Sequence, residues 1–453
     1  VTETVALLFT IGFVQMVALG YFAIAVVCAG RISGKLSWAL APAVGMGISA
    51  IIAYFFRRPM FTVEVLLLVI LFVLWLRGKK SSPAQIELKG RGVPVLVVLL
   101  VALLSWMTLA SFLWVAAGPH GEWDGWAIWN AHARYIIRAG PVWREHIPNA
   151  VHSDYPLLLP LATVRSWRLI EEDVPHVGGV QQVLIGVSGI LILAASLWEL
   201  RADSMAFLAS LLLVGTPFYM ILGVWQYADM PLSVYILSTL ALICIQRLRM
   251  PDDLHLLMLA GFTAGCAAST KNEGLLFVVG VMTAQLVGIF RRPAATIKRI
   301  AMFSVGLLLP LAATLHFKFT VAPPNDIVGN RDFGDLVAKV MDPERYVTIA
   351  DAFLRTAWTF GRWPIHAGIP LLAILLVWGI DRGTVRSEAW KVGAVAVLIV
   401  LAGYFATYVI THHALDYHLP TSLDRLLMHV WPSVLFLAGL AVRTSPSIDS
   451  RTK

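Results

Sequence analysis

Charge is what this chain has least of: only 14% of its 453 residues are Asp, Glu, Lys or Arg, against 58% apolar ones. A soluble domain carries about 25% charged residues, so a water-facing globular surface is excluded. Cysteine is scarce as well. Cys28, Cys244 and Cys266 lie inside apolar runs with no CxxC or Cys/His ligand spacing, which removes disulfide scaffolds and zinc ribbons and leaves core filler. Strict alternation of polar and apolar residues is missing too, which excludes a transmembrane barrel.

What the chain does have is apolar stretches of about 17 to 25 residues, each long enough to cross a hydrocarbon core of roughly 30 Å as a helix. Lipid offers the backbone no other hydrogen-bond partners, so helices are required. Thirteen spans are expected, near 4–29, 38–56, 61–77, 93–117, 178–198, 205–222, 231–247, 254–270, 274–290, 300–319, 367–380, 392–410 and 429–443. The first run leads straight into further spans and reads as an anchor rather than a removed signal peptide. The expected class is therefore an all-α polytopic membrane protein.

The connections alternate in charge. One set, around Arg31, 77–91, Arg201, Arg247, 291–299, 382–391 and the C-terminus, carries more than half of the 35 basic residues. By the positive-inside rule that side is cytoplasmic. The short connections opposite hold only Arg57, Arg58, Lys271 and Arg425. The net charge of +8 is thus mostly topology and calls for no nucleic-acid partner. Three longer outer segments, 118–177, 320–366 and 411–428, hold nearly all the chemically versatile side chains. A carrier would place ionisable residues near mid-span and repeat two halves with broken helices. Neither pattern is visible, so the outer interface is the expected working surface.

The richest stretch there is "GEWDGWAIWNAHARYI", residues 121–136. From Trp126 onward Trp126, Trp129, Ala133, Ile136 and Ile137 recur at helical spacing, with Asn130, Arg134 and Arg138 on a polar stripe, as in an amphipathic helix lying on the interface. Asp124 stands just before it. It is either an N-cap or a base that takes a proton from an acceptor hydroxyl. Glu122 would orient it, or the two would share a divalent cation. Trp123 and Trp126 are interfacial anchors or faces for a sugar ring.

Other outer clusters follow. "HSDYPLLLP" brings His152, Asp154 and Tyr155 to what is most simply a turn. "WQYADMPLSVY" puts Asp229 in a very short loop beside hydrocarbon, where an acid is costly unless used or paired. "STKNEGLL" carries Lys271 and Glu273, which neutralise each other or leave Lys271 to hold a phosphate. "THHALDYHLPTSLDRLLMHVWP" offers His412, His413, His418 and His429 without the spacing of a closed zinc site, and Arg425 as a fork for phosphate or carboxylate.

Taken in order, these motifs resemble the membrane-embedded glycosyltransferases of the GT-C fold, in the branch of protein O-mannosyltransferases and aminoarabinose transferases. The resemblance rests on the span 93–117 followed by "GEWDGW", on Asp229-Met230-Pro231-Leu232, and on Lys271 with Gly274. It covers about 93–320, the implied catalytic core with outer loop 118–177. Residues 1–92 would be extra helices, and 321–453 the second outer loop and C-terminal helices. It implies transfer of a hexosyl or pentosyl group from a polyprenyl-phosphate-linked donor to a hydroxyl of a glycan, lipid or protein acceptor. The reaction would run at the outer side of a bacterial-type inner membrane. Asp124, Glu122 and Asp229 would be catalytic; Lys271, Arg331 and Arg425 would hold the donor phosphate; Trp123, Trp126, His152, Asp154, Tyr155 and Glu273 would contact substrate. The stretch 320–366, with "NDIVGNRDFGDL" and an amphipathic run near 335–358, would close over the donor. The competing expectations are a lipid-linked sugar flippase and a phosphoethanolamine transferase or phosphatase; the clustered ligands or paired histidines of the last two are not found.

Overall fold

The computed structural model describes residues 3–78, 93–325, 333–363 and 368–443. It is all-α. Among the described residues the β-structure is one isolated bridge, Ile380 with Val442. Every one of the thirteen apolar segments contains helix, but they differ in reach. Among the described residues nine helices are long and apolar enough to cross a membrane, and a bent pair makes a tenth. The chain is a multi-pass integral membrane protein.

The N-terminal helices are α1 (Glu3–Cys28), α2 (Gly34–Phe55), α3 (Met60–Arg77) and α4 (Val93–Ala117). Ser33 starts α2 by accepting from the Leu36 amide, the capping role expected of serine. The helix is packed into the molecule rather than appended to it. Ser188 donates to the Ala39 carbonyl at 2.5 Å and Tyr235 to that of Ala43 at 2.9 Å. By contrast α3 and α4 keep almost all of their apolar surface outward, as lipid-facing helices must.

The long connection after α4 follows, with α5 (Asn130–Arg138), α6 (Trp143–His146) and α7 (Leu158–Ile170). Residues Gly125–Trp129 form a π-turn before α5. A π-turn inserts one residue and rotates everything before it by about 100°. That is why the expected amphipathic face breaks: Trp129, Ala133 and Ile136 are buried, but Trp126 is 51% exposed. Asn130, expected on the polar stripe, is buried, and so is His132.

The central bundle comprises α8 (His176–Arg201), α9 (Met205–Val214), α10 (Pro217–Val224), α11 (Asp229–Arg249), α12 (His255–Thr270), α13 (Asn272–Ala284) and α14 (Pro293–Thr320). The segment expected as one straight span over 205–222 is the bent pair, α9 and α10 meeting at 56°. Pro217 has no amide to continue the ladder and its ring collides with the preceding turn. Helices α12 and α13 are shorter, at 16 and 13 residues. Small residues let α12 and α14 touch: a Cβ on Gly261 would lie 1.9 Å from the Phe303 carbonyl oxygen. Close backbone approach of this kind replaces the hydrophobic drive that lipid removes.

The C-terminal part holds α15 (Phe333–Val340), α16 (Pro343–Thr359), α17 (Gly368–Trp378, 11 residues and also short), α18 (Arg382–Arg386), α19 (Glu388–Ile410) and α20 (Leu415–Ala441). Arg345 of α16 donates to the carbonyls of Tyr408, Val409 and Thr411 at the end of α19, where the unpaired carbonyls are electronegative. The two charge classes of connection stay together in space. Arg31 meets Asp253, Arg249 meets Glu199, and Arg247 and Arg299 share Glu388; Arg57 and Arg168 join the outer segments instead.

One ion pair inside the helices was not visible as a motif. Arg165 of α7 donates twice to Glu64 of α3, at 2.7 Å each, and once to the Gly12 carbonyl of α1. Both side chains are essentially sealed, at 1% and 0% exposure. Removing one partner leaves a buried charge unpaired, whereas removing both does not. Glu64→Leu or Arg165→Met alone is expected to cost about 3 to 5 kcal/mol, read as a lowered unfolding midpoint in detergent. The double variant is expected to recover most of that loss.

Candidate functional site

The end of the bundle where α4 finishes and α11 begins gathers four separate segments around buried charge. Gly121, at φ 70°, and Gly125 flank Asp124, and a Cβ on either would come within 2.5 Å of the Trp225 carbonyl oxygen. The glycines therefore let the loop before α5 rest directly on the loop before α11. Asn130 and Gln226 tie the same two loops with a 2.8 Å hydrogen bond.

Asp124 is only 7% exposed. Although it precedes a helical turn, its carboxylate makes no capping bond to the backbone. It accepts instead from Arg425 Nη1 at 2.9 Å. Arg425 comes from α20, and its Nε lies 3.6 Å from Asp229 Oδ1. Burial lifts the Asp124 carboxyl above its usual range, Arg425 pulls it back, and the charge on Asp229 pushes it up again.

Asp229 is fully buried in the first turn of α11, where a helix N-terminus favours an anion. Its Oδ1 accepts from Lys271 Nζ at 3.0 Å and from His429 Nε2 at 2.8 Å. With Nε2 donating to a carboxylate, a neutral ring leaves Nδ1 to accept from the Tyr404 hydroxyl, 2.8 Å away. Asp229 Oδ2 and Arg425 Nε are buried without a hydrogen-bond partner among the described residues. Lys271 also meets Glu273 at 3.0 Å. The Tyr227 ring lies under the Arg425 guanidinium at 4.9 Å, and burial followed by the Asp124 charge pushes its phenol up to about 12.

A second knot adjoins this one. Asp154, 4% exposed, accepts from Asn272 and Asn325 at 2.7 Å each, and Lys318 holds both the Asp154 carbonyl and Asn272. Asn272 follows Lys271, so the two knots share a backbone. Tyr155 stacks between Trp129, at 5.6 Å, and His152, at 5.0 Å, with Trp123 edge-on to His152 at 6.2 Å.

The expected residues thus divide. Asp124, Asp229, Lys271, Glu273 and Arg425 form one ionic network, with Asp154, Tyr155 and His152 beside it. Glu122 is exposed while Asp124 is buried, so the two do not face one site as a pair. Trp123 and Trp126 are exposed. Arg331 and most of "NDIVGNRDFGDL" lie outside the described residues. Of the four histidines weighed for zinc, His429 belongs to the Asp229 network, while His413 meets His412 at a tilt and His418 edge-on. Among the described residues no three His, Cys, Asp or Glu side chains group as a metal site. Sequence reading missed Tyr227, Tyr404, Asn130 and Gln226 as parts of the site. Gln226 and Tyr227 fall inside "WQYADM", so the motif was in hand even though their roles were not.

Arg425 and Lys271 were expected to be open to phosphate, yet each already faces two carboxylates. Both are committed at rest. A double-mutant cycle of Asp124→Asn and Arg425→Gln on unfolding midpoints is expected to give a coupling of about 1 to 3 kcal/mol, as for a shielded charge-assisted bond; additivity would mean that the pair is solvent-screened.

No family model, curated protein or solved structure matches this chain.

Proposed function

We propose that this chain is a GT-C-type glycosyltransferase that moves a sugar from a polyprenyl-phosphate carrier to an acceptor hydroxyl, with inversion, at the outer face of a bacterial-type inner membrane. In this reading all thirteen apolar helices serve the membrane domain, and the Lys- and Arg-rich connections face the cytoplasm. The observation that carries it is the placement of Asp124: a shielded carboxylate at the rim of the bundle, free of any capping duty, with an arginine as its partner.

Asp124 takes the acceptor proton as the acceptor oxygen attacks the anomeric carbon. The bond from that carbon to the phosphate oxygen breaks, and its electron pair leaves with the lipid phosphate. Arg425 has two roles in this scheme. At rest it masks Asp124. An incoming phosphate competes for the same guanidinium, and its transfer from carboxylate to phosphate unmasks the base while stabilising the leaving group. Lys271, held between Asp229 and Glu273, adds a second positive charge on that side. Asp229 and His429 position Arg425 and Lys271. Trp123, exposed beside His152, offers an aromatic face to a sugar ring. A flippase has no use for a buried base at the rim.

Asp124→Asn keeps the shape and removes the proton acceptor, so turnover is expected to fall by about 10² to 10⁴, read as release of polyprenyl phosphate from a lipid-linked sugar by protein of normal expression. Full turnover would sink the proposal. A base works only when ionised, so the rate should be lost as pH falls through the Asp124 pKa. That acid limb is expected above the ordinary carboxylate range, because burial raises it. Arg425→Gln removes an opposing charge and is expected to move the limb to still higher pH in a rate profile.

A further inference from the structure

The outer end of α2 carries arginines that the ionic network leaves out. Arg57, between α2 and α3, donates to the carbonyls of Ile136 and Gly140, and Arg168 of α7 donates to the carbonyl of Arg57. Exposed Arg144 sets its guanidinium 5.0 Å from the Trp143 ring and 5.7 Å from that of Tyr54. Nearby Arg134 and Arg138 share Asp173, and Lys318 has Asp154. Arg57, Arg144 and Arg168 have no carboxylate partner among the described residues. They act on one another instead: burial, then Arg168 and Arg144, pull Arg57 below the usual arginine range. The Arg57 Nε is buried with no hydrogen-bond partner among the described residues.

Directly below lies an apolar crevice between α2, α7, α12 and α14. It is small and open on one side, with about 30 Å³ of room, and its walls include Ile51, Tyr54, Leu158, Ala313 and Phe317. Tyr54 joins the two features. It lines the crevice, carries Arg144 on its ring, and bonds His316 through its hydroxyl at 2.7 Å. Phe55, Phe56 and Phe319 at the outer ends of α2 and α14 are 46%, 50% and 84% exposed, which marks this edge as lipid-facing.

We infer that this edge binds an anionic glycerophospholipid, its phosphodiester among Arg57, Arg144 and Arg168 and the end of one acyl chain in the crevice. Positive charge without an acid at a membrane surface attracts anionic headgroups, and Arg is the side chain suited to phosphate oxygens. Free phosphate would leave the crevice uncovered. A zwitterionic lipid offers the same phosphodiester but adds a cationic headgroup amine, which the three arginines repel. A bulk membrane lipid fills such a site by mass action. This site is separate from the network of Asp124, Arg425 and Asp229, where carboxylates already neutralise the cations, and it stands whether or not that network transfers sugar.

Native mass spectrometry of the full-length detergent-purified protein, titrated with phosphatidylglycerol or phosphatidylcholine, tests the assignment. Phosphatidylglycerol is expected to be retained at one copy and to raise the unfolding midpoint. Arg144→Gln touches no backbone carbonyl, and it is expected to weaken that retention about tenfold, near the worth of one charge-assisted bond. Ala313→Phe, which fills the crevice, is expected to weaken it as well, while Arg138→Gln should leave it unchanged. Equal retention of both lipids would overturn the proposal, as would equal stabilisation by inorganic phosphate alone, preference for an isoprenyl phosphate, or full retention in Arg144→Gln. Should Ala313→Phe fail to fold, the Arg144→Gln result decides.

Discussion

The end of the bundle that holds Asp124 depends on one guanidinium. Arg425 stands between two carboxylates that come from segments a hundred residues apart, and it keeps both ionised groups tolerable beside hydrocarbon. A buried carboxylate without a counter-charge is among the most expensive things a membrane protein can contain. The other contacts at this end hold the geometry in which that one arginine reaches both acids. Gly121 and Gly125 bring the two loops together, Asn130 and Gln226 pin them, and Lys271 and His429 fix Asp229 from behind.

The placement also explains why the polar residues are layered. Charged groups held by more than one partner sit inward, as with Asp229, Lys271 and His429. Residues with open faces sit outward, as with Trp123 and Trp126. Between them lies Asp124, shielded yet bonded through a single side-chain partner. A group in that middle layer changes its protonation state more readily than one locked on every side, and it stays out of bulk water.

Much of the architecture was legible because the bilayer restricts the choices. Run length and the lack of alternation specify helices, and sparse charge specifies a membrane protein. Helix length was less legible. The polar break at Lys271-Asn272-Glu273 was read, and the span expected over 254–270 matches α12, but nothing in the composition shows that α13 stops at Ala284 rather than near 290. The bend at Pro217 was written in the residue itself, yet an apolar window averages over it. The π-turn at Gly125–Trp129 left no mark at all. It turns Trp126 off the face that Trp129, Ala133 and Ile136 bury, whereas Asn130, inside α5, is buried because Gln226 meets it across the loop. At the site, individual acids and bases were recognisable from their position next to lipid. Their pairing was not, because Asp124 meets Arg425 across 301 positions and no local pattern encodes so distant a neighbour.

The second outer helix, α16, has a narrower attachment than its length implies. Only Ile349 among its residues is buried. Arg345 grips the end of α19, and Phe353 meets Phe405 and Tyr408 at 5.6 and 6.0 Å. These three residues are four apart and so form a single seam along the helix. Two of the three grip by shape and one by charge. Beside the seam Tyr346 also meets Phe405, at 6.2 Å; the remaining flank takes no part in this attachment, and its side chains can diverge among descendants of this sequence while the helix keeps its seat.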